Sequence, residues 1–208
     1  YYKMKILLVP KVIIRHKNQI EFSIEENLIL FLKKTFKNCL IEITHDLSLK
    51  KKVDLIILSG GNTIKKYSNK IEDLIRNKYD NFYFKNSIKF NIPLIGICHG
   101  AQFIAHKNNL KFKKDKKHVN FSHNILSSNK KLTGKIKSVI CYHNYKIVTN
   151  NKNIAVIAHA KDNSVESFWV KKKKIAGIIW HPERSKKEII YQINFFKKIY
   201  ASINSSFR

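Results

Sequence analysis

Cysteine is scarce in this chain and poorly placed for pairing: Cys39, Cys98 and Cys141 are odd in number and far apart. With no C-x-x-C pair, a disulfide framework and a thiol-based redox or metal motif are both excluded, and a reducing compartment is expected. Cys39, beside Leu40 and Ile41, reads as a small buried hydrophobe. Long apolar runs are also missing. None approaches the ~20 residues that span a bilayer, and the start lacks the basic, apolar and small-residue order of a signal peptide. These absences predict a cytoplasmic protein with no membrane partner. Met4 closely precedes the first strand, and the sequence leaves open the origin of Tyr1, Tyr2 and Lys3.

Arginine is the third shortage. The net charge is +27, yet only 4 of the 41 basic residues are arginine. Nucleic-acid readers lean on the planar guanidinium fork, and the lysines here are scattered, so no nucleic-acid partner is expected. Runs such as Lys113 to Lys117 and Lys171 to Lys174 read as solvated loops or hairpin turns. A basic field of this size would still draw in an anionic substrate.

What the chain does have is enough apolar material, 44% over 208 residues, for a substantial core, and the simplest account is one domain over 1–208. Strands are predicted at 5–10, 40–43 and 55–58, and helices at 23–37, with Ser23 as N-cap, and from about 63 to 78. Strands alternating with helices indicate α/β architecture, a mainly parallel sheet covered by helices on both faces. Beyond Asn109 the runs shorten, at 134–143, 154–159, 165–170 and 174–180, and read as additional antiparallel strands. An apolar stripe over 185–203 predicts a last, packing helix.

Three stretches carry chemistry. Pro93 to Gln102, PLIGICHGAQ, is an apolar strand running into a G-x-C-x-G turn that opens a helix. This has the form of the nucleophile elbow with sulfur in place of a hydroxyl, and a helix start favours thiolate at Cys98. After the apolar strand IAGIIW come His181, Pro182 and Glu183, an imidazole and a carboxylate two residues apart. Glu183 can orient the ring while its other nitrogen serves the sulfur. The strand DLIILS ends in Gly60-Gly61-Asn62, whose bare N–H groups can meet an oxyanion together with the N–H of His99.

In the order SGGN, GICHGAQ, WHPE the chain resembles the class I (triad) glutamine amidotransferases, and the three motifs span most of its length. The resemblance implies their flavodoxin-like fold with a small additional antiparallel sheet. It also implies Cys98 as nucleophile, His181 as proton shuttle, Glu183 as its orienter, and Gly61 and His99 as oxyanion donors. Substrate contacts are implied at Gly60, Asn62 and Gln102, and at the turn Cys141-Tyr142-His143. The chain departs from the family at Ile179, where a glutamine is usual, and at Cys141, where a serine is usual.

Nothing in the sequence resembles a synthase domain, so a synthase partner is possible but not indicated. Within the family the chain is similar to free-standing γ-glutamyl amide hydrolases, including γ-glutamyl-CDP-amidate hydrolases of capsular phosphoramidate synthesis. The implied substrate is a small, anionic γ-glutamyl amide, cleaved through a thioester. The alternatives are a γ-glutamyl-polyamine or γ-glutamyl-aminobutyrate hydrolase and an ammonia-supplying glutaminase subunit of a synthase. No cofactor is expected. The polar segment with His118, Asn120 and His123 has no carboxylate or thiolate alongside it in sequence, so no metal is expected either.

Overall fold

The computed structural model describes residues 3–16, 19–44, 46–49, 52–115 and 119–205, with the side chains of 119–121 left out. Its centre is a nine-stranded sheet. Five strands form a parallel half: β1 (Lys5–Val9), β4 (Leu40–Ile43), β5 (Leu55–Leu58), β6 (Leu94–Ile97) and β13 (Ile175–Ile178). They lie in the order β4-β1-β5-β6-β13. The sheet continues antiparallel through β12 (Val165–Val170), β11 (Ile154–Ala160), β8 (Val119–Ser127) and β9 (Ser138–Tyr142). Two small antiparallel pairs flank it. One joins β2 (Lys11–Ile14) to β3 (Ile20–Ser23), the other β7 (Lys111–Lys114) to β10 (Tyr145–Val148).

Side-chain alternation along the parallel strands explains the layers. Ile6, Leu8, Leu55, Ile57, Ile95 and Ile97 point to one face, against Phe31 and Leu32 of α1 (Glu26–Thr35) and Phe195, Phe196 and Ile199 of α5 (Ile189–Ser205). Leu7, Val9, Ile56, Leu58 and Leu94 point to the other face. There they meet Tyr83 and Phe84 of α2 (Ile71–Lys89) and Phe103 and Ile104 of α3 (His99–Lys107). Each fully buried aliphatic side chain contributes about 1.5–3 kcal/mol, which is why strands with no polar residue settle between two helical layers.

The helix expected from about 63 to 78 begins later and runs further, over Ile71–Lys89, after a short 3₁₀ turn at Lys65–Tyr67. The aromatic stretch 79–90 is its second half, where Tyr83 and Phe84 bury against the sheet. The first helix starts at Glu26 rather than just after Ser23, because Ser23 pairs with Lys11 in the β2–β3 hairpin. Four of the antiparallel strands extend the main sheet and curl it back on itself: the N–H of His181 donates to the carbonyl of Ile140 in β9 at 3.1 Å. A short helix, α4 (Lys130–Thr133), lies between β8 and β9. No helix among the described residues is long and apolar enough to cross a membrane.

Candidate active site

Parallel strands bring all their carboxyl ends to one side of a sheet. Gly60, Cys98 and His181 follow β5, β6 and β13 there, three neighbours in the strand order. The elbow is strained at the nucleophile position itself: Cys98 has φ 49° and ψ −103°. Neither glycine of G-x-C-x-G needs a positive φ. Their role is close approach. A Cβ on Gly96 would lie 2.4 Å from the backbone of Gly100, and one on Gly100 would lie 2.2 Å from the carbonyl oxygen of Leu58. Strand, turn and helix can therefore press together only with hydrogen at both positions, and the strain falls on the one side chain that must stand clear. The N–H of Cys98 donates to Ile178 of β13 at 2.8 Å, which ties the elbow to the strand that carries the histidine.

His181 Nδ1 donates to Glu183 Oε1 at 2.6 Å. Its other nitrogen, Nε2, borders the same space as the Cys98 side chain, both within 3.5 Å of the point a Cβ on Gly60 would occupy. Burial alone would lower the imidazole pKa, but the Cys98 thiolate and then Glu183 outweigh it and raise the pKa to about 10. The ring is thus held toward its protonated form. Gly60 walls the same space: a Cβ there would sit 2.8 Å from Cε1 of His181 and 3.4 Å from Cβ of Cys98. A narrow cleft lined by Lys11, Glu25, Ser59, Gly60, His181 and Glu183 adjoins the group. A larger cavity of about 430 Å³ opens by Asp54, Pro93 and Lys174, which precede β5, β6 and β13, and so lies at the opposite ends of these strands.

The expected oxyanion donors divide into backbone and side chain. Gly61, at φ +126°, packs on the side chain of Lys11 beside the cleft. His99 is the first residue of α3, where N–H groups have no intrahelical acceptor. Its ring turns away from the cleft into a buried network, with Nε2 2.7 Å from Asp80 Oδ2. Burial would raise the Asp80 pKa, yet Arg76 and His99 hold it below the ordinary carboxylate value. Arg76, wholly buried, also donates to the carbonyls of Pro10 and Ser59 at 2.7 and 2.8 Å, so the network braces the loop that carries Gly60.

The expected substrate contacts separate. Gln102, one turn along α3 from Cys98, donates through Nε2 to the Tyr145 carbonyl at 3.3 Å. Tyr142 lays its ring edge-on to His181, centroids 5.7 Å apart, and the Arg184 guanidinium sits 4.5 Å from the Tyr142 ring centroid. His143 is buried, with Nδ1 3.1 Å from the Tyr145 carbonyl. The side chain of Asn62 is engaged elsewhere, bonding both backbone groups of Val12 and the Asp73 carboxylate. The side chain of Cys141 is fully buried and donates to Glu166 Oε2 at 3.4 Å, so this turn can offer a substrate the backbone of Cys141 but not its sulfur.

The absence of a carboxylate or thiolate near His123, expected from sequence, is corrected by the fold. Cys141 and Glu166 both reach it from other strands, with Sγ 3.2 Å and Oε1 3.5 Å from His123 Nε2. Burial pushes the Glu166 carboxyl up to about 8, against the Cys141 hydrogen bond. His118 lies outside the described residues, and Asn120 is described by its backbone alone.

Sequence reading missed three things here: Glu166, the Arg76–Asp80 pair, and the Arg184–Glu25 ion pair that bridges 159 positions at the cleft. A single carboxylate in the otherwise uncharged strand VESFWV was a signal for the first. An arginine and an aspartate four apart on one helix were a signal for the second. No local pattern announces the third.

Comparison with known proteins identifies the family and the fold. The family "Glutamine amidotransferase class-I" matches residues 17–198. A γ-glutamyl-CDP-amidate hydrolase from Campylobacter jejuni is 32% identical over 159 residues, covering 74% of this chain and 76% of its own. One subunit of a glutamine-hydrolysing GMP synthase from Methanosphaera stadtmanae is 30% identical over 132 residues, 62% of this chain and 64% of its own. Among solved structures, a glutamine amidotransferase from Thermotoga maritima superposes with TM-score 0.71 at 13% identity, covering 99% of this chain and 100% of its own. A protein from Thermoplasma acidophilum, assigned as a GMP synthase subunit, gives 0.72 at 22%, covering 97% and 96%. The family match spans most of the sequence, the shared fold spans nearly all of it, and the chain belongs to the class I glutamine amidotransferases.

Proposed function

We propose that this protein hydrolyses a γ-glutamyl amide by cysteine-dependent acyl transfer, and that the amide is γ-glutamyl-CDP-amidate. The observation that carries the chemistry is the convergence of Cys98, His181 and Glu183 at the ends of adjacent strands, with the ring bonded to Glu183 and its other side bordering the space that Cys98 shares. The Cys98 thiolate attacks the γ-carbonyl carbon while the developing oxyanion takes hydrogen bonds from the N–H groups of Gly61 and His99. As the tetrahedral intermediate collapses, the carbon–nitrogen bond breaks and His181 gives its proton to the departing nitrogen, leaving a γ-glutamyl thioester. Water then attacks that carbonyl as His181 takes its proton. The carbon–sulfur bond breaks, glutamate leaves, and the proton taken from water stays on the Cys98–His181 pair for the next cycle. Glu183 holds the ring orientation throughout.

Two observations support the anionic leaving group. The relative from Campylobacter jejuni bears that activity in its name. A cationic side chain, Lys11, also stands on the cleft wall, while Arg184 is paired with Glu25. The likeness to one subunit of a GMP synthase favours a second reading, an ammonia-supplying glutaminase whose synthase is a separate chain. Glutamate release from purified protein, compared between γ-glutamyl-CDP-amidate, a γ-glutamyl polyamine and glutamine, separates them. The first substrate is expected to give kcat/KM at least about 100-fold above the others. Fast turnover of glutamine with none of the amidate would overturn the substrate and point to the glutaminase.

A further inference from the structure

We propose that His123, Cys141 and Glu166 form a binding site for a divalent transition-metal ion, zinc by its donor chemistry, inside the antiparallel half of the sheet. The three donor atoms lie within 4.8 Å of one another. Nearest separations are 3.2 Å from His123 Nε2 to Cys141 Sγ, 3.5 Å from that nitrogen to Glu166 Oε1 and 3.4 Å from the sulfur to Glu166 Oε2, so the carboxylate offers one oxygen to each neighbour. Ligands held ~2.0–2.3 Å from a tetrahedral zinc stand roughly 3.3–3.7 Å apart, so the cluster already has the size of a coordination shell. His143 stands at the edge of the cluster, outside the three donors, its Nε2 4.0 Å from Glu166 Oε1.

The two imidazoles are set in the tautomer that ligation needs. His123 Nδ1 lies 3.2 Å from the carbonyl oxygen of Asn124, and His143 Nδ1 lies 3.1 Å from that of Tyr145. A carbonyl only accepts, so each Nδ1 carries the proton, and in the neutral ring each Nε2 presents its lone pair to the cluster. Backbone carbonyls that orient histidine ligands in this way are the usual outer shell of zinc sites. Charge fits as well. A divalent ion with one thiolate, one carboxylate and the neutral imidazole of His123 sums to zero, which suits a place where Cys141 and Glu166 are both at 0% exposure. Binding releases the Cys141 thiol proton, and any proton on Glu166, to solvent.

The ligands come from β8, β9 and β12, with His143 just past the end of β9, and β11 separates β12 from β8 in the sheet. An ion there would pin the curl that brings Ile140 to the N–H of His181 and Tyr142 against its ring. Its role would be structural, beside the acyl-transfer site rather than in it. The assignment rests on no reading of the substrate: an inactive protein that holds zinc in this cluster leaves it standing.

The test is metal content and spectroscopy on the whole protein, purified without chelator and then reconstituted with zinc or cobalt. Roughly one ion per chain is expected, with a thiolate-to-cobalt charge-transfer band in the near ultraviolet. Zinc at ~100-fold excess over its Kd is expected to raise Tm by about 5–10 °C. Cys141→Ser and Glu166→Gln should abolish stoichiometric binding. Cys98→Ala should retain both the ion and the charge-transfer band, which keeps the question decidable even where the first two variants do not fold. Three results each overturn the assignment: protein that takes up no ion and melts unchanged with zinc, binding that survives Cys141→Ser, or a band that disappears in Cys98→Ala.

Discussion

Two constellations in this molecule are built from the same three residue types, and their geometries send them to different chemistry. Cys98, His181 and Glu183 form a line, with the carboxylate on one ring nitrogen and Cys98 on the side of the other. Cys141, His123 and Glu166 form a knot, with sulfur and carboxylate both on the same ring nitrogen. A line moves a proton from one end to the other through the imidazole. A knot leaves no room for a substrate and gathers three lone-pair donors round one point. The backbone makes the difference. The line hangs from turns at the open ends of parallel strands, one of them at positive φ, whereas the knot is formed by side chains within antiparallel strands. What a cysteine, a histidine and a glutamate do together is therefore set by the direction from which each arrives.

The sharpest way to break that contrast is to delete each sulfur. Cys98→Ala should lower kcat by roughly 10⁴- to 10⁶-fold with Tm little changed, while Cys141→Ala should lower it by no more than about 10²-fold, through displacement of the Tyr142 turn. Equal losses, measured as glutamate release, would erase the distinction. The orienting carboxylate comes next. Glu183→Gln should be roughly 10- to 100-fold less damaging than Cys98→Ala, because ring and sulfur both remain. Loss as deep as that of the nucleophile would mean that the carboxylate takes part in bond making.

A smaller effect sharpens the geometry of the line. Gly60→Ala places a Cβ 2.8 Å from the His181 ring without requiring a positive φ, so kcat should fall by about 10²-fold while thermal unfolding shifts little. A variant of full activity would show that the ring is not held against this loop. The gentlest probe is titration of His181 by NMR. With its pKa raised to about 10, the imidazolium's contribution to stability is fully present below the unfolded value of ~6.5 and is lost as pH rises through about 10. In Cys98→Ala the midpoint should move down toward neutrality, because the largest favourable influence, the thiolate, is gone. An unmoved midpoint would mean that sulfur and ring do not face each other.

Much of the line was legible before any coordinates, because each of its parts is local. An apolar strand followed by G-x-C-x-G fixes a turn, and H-P-E fixes an imidazole beside a carboxylate. The knot was illegible for the opposite reason. His123, Cys141 and Glu166 lie 18 and 25 positions apart along β8, β9 and β12, and none sits in a motif with another. Reading His123 against its sequence neighbours alone led to the expectation of no thiolate or carboxylate nearby, which the curl of the sheet reverses. The extended helix over Ile71–Lys89 is a similar case. Aromatic residues look weak for a helix until a sheet face is there to receive them.

By itself the sequence determined the strand cores, the elbow, the histidine–carboxylate pair and the family pattern, since backbone propensity, side-chain alternation and turn chemistry act over a few residues. The tertiary structure alone decided the order of the strands, and hence that β5, β6 and β13 lie side by side with their carboxyl ends together. It also decided that the antiparallel half closes back on His181, that Arg184 meets Glu25 across the cleft, and that His99 gives its ring to a buried aspartate while its N–H stays at the helix start. Those outcomes depend on which apolar faces are covered by which helices, and burial is a property of the whole chain that no single segment carries.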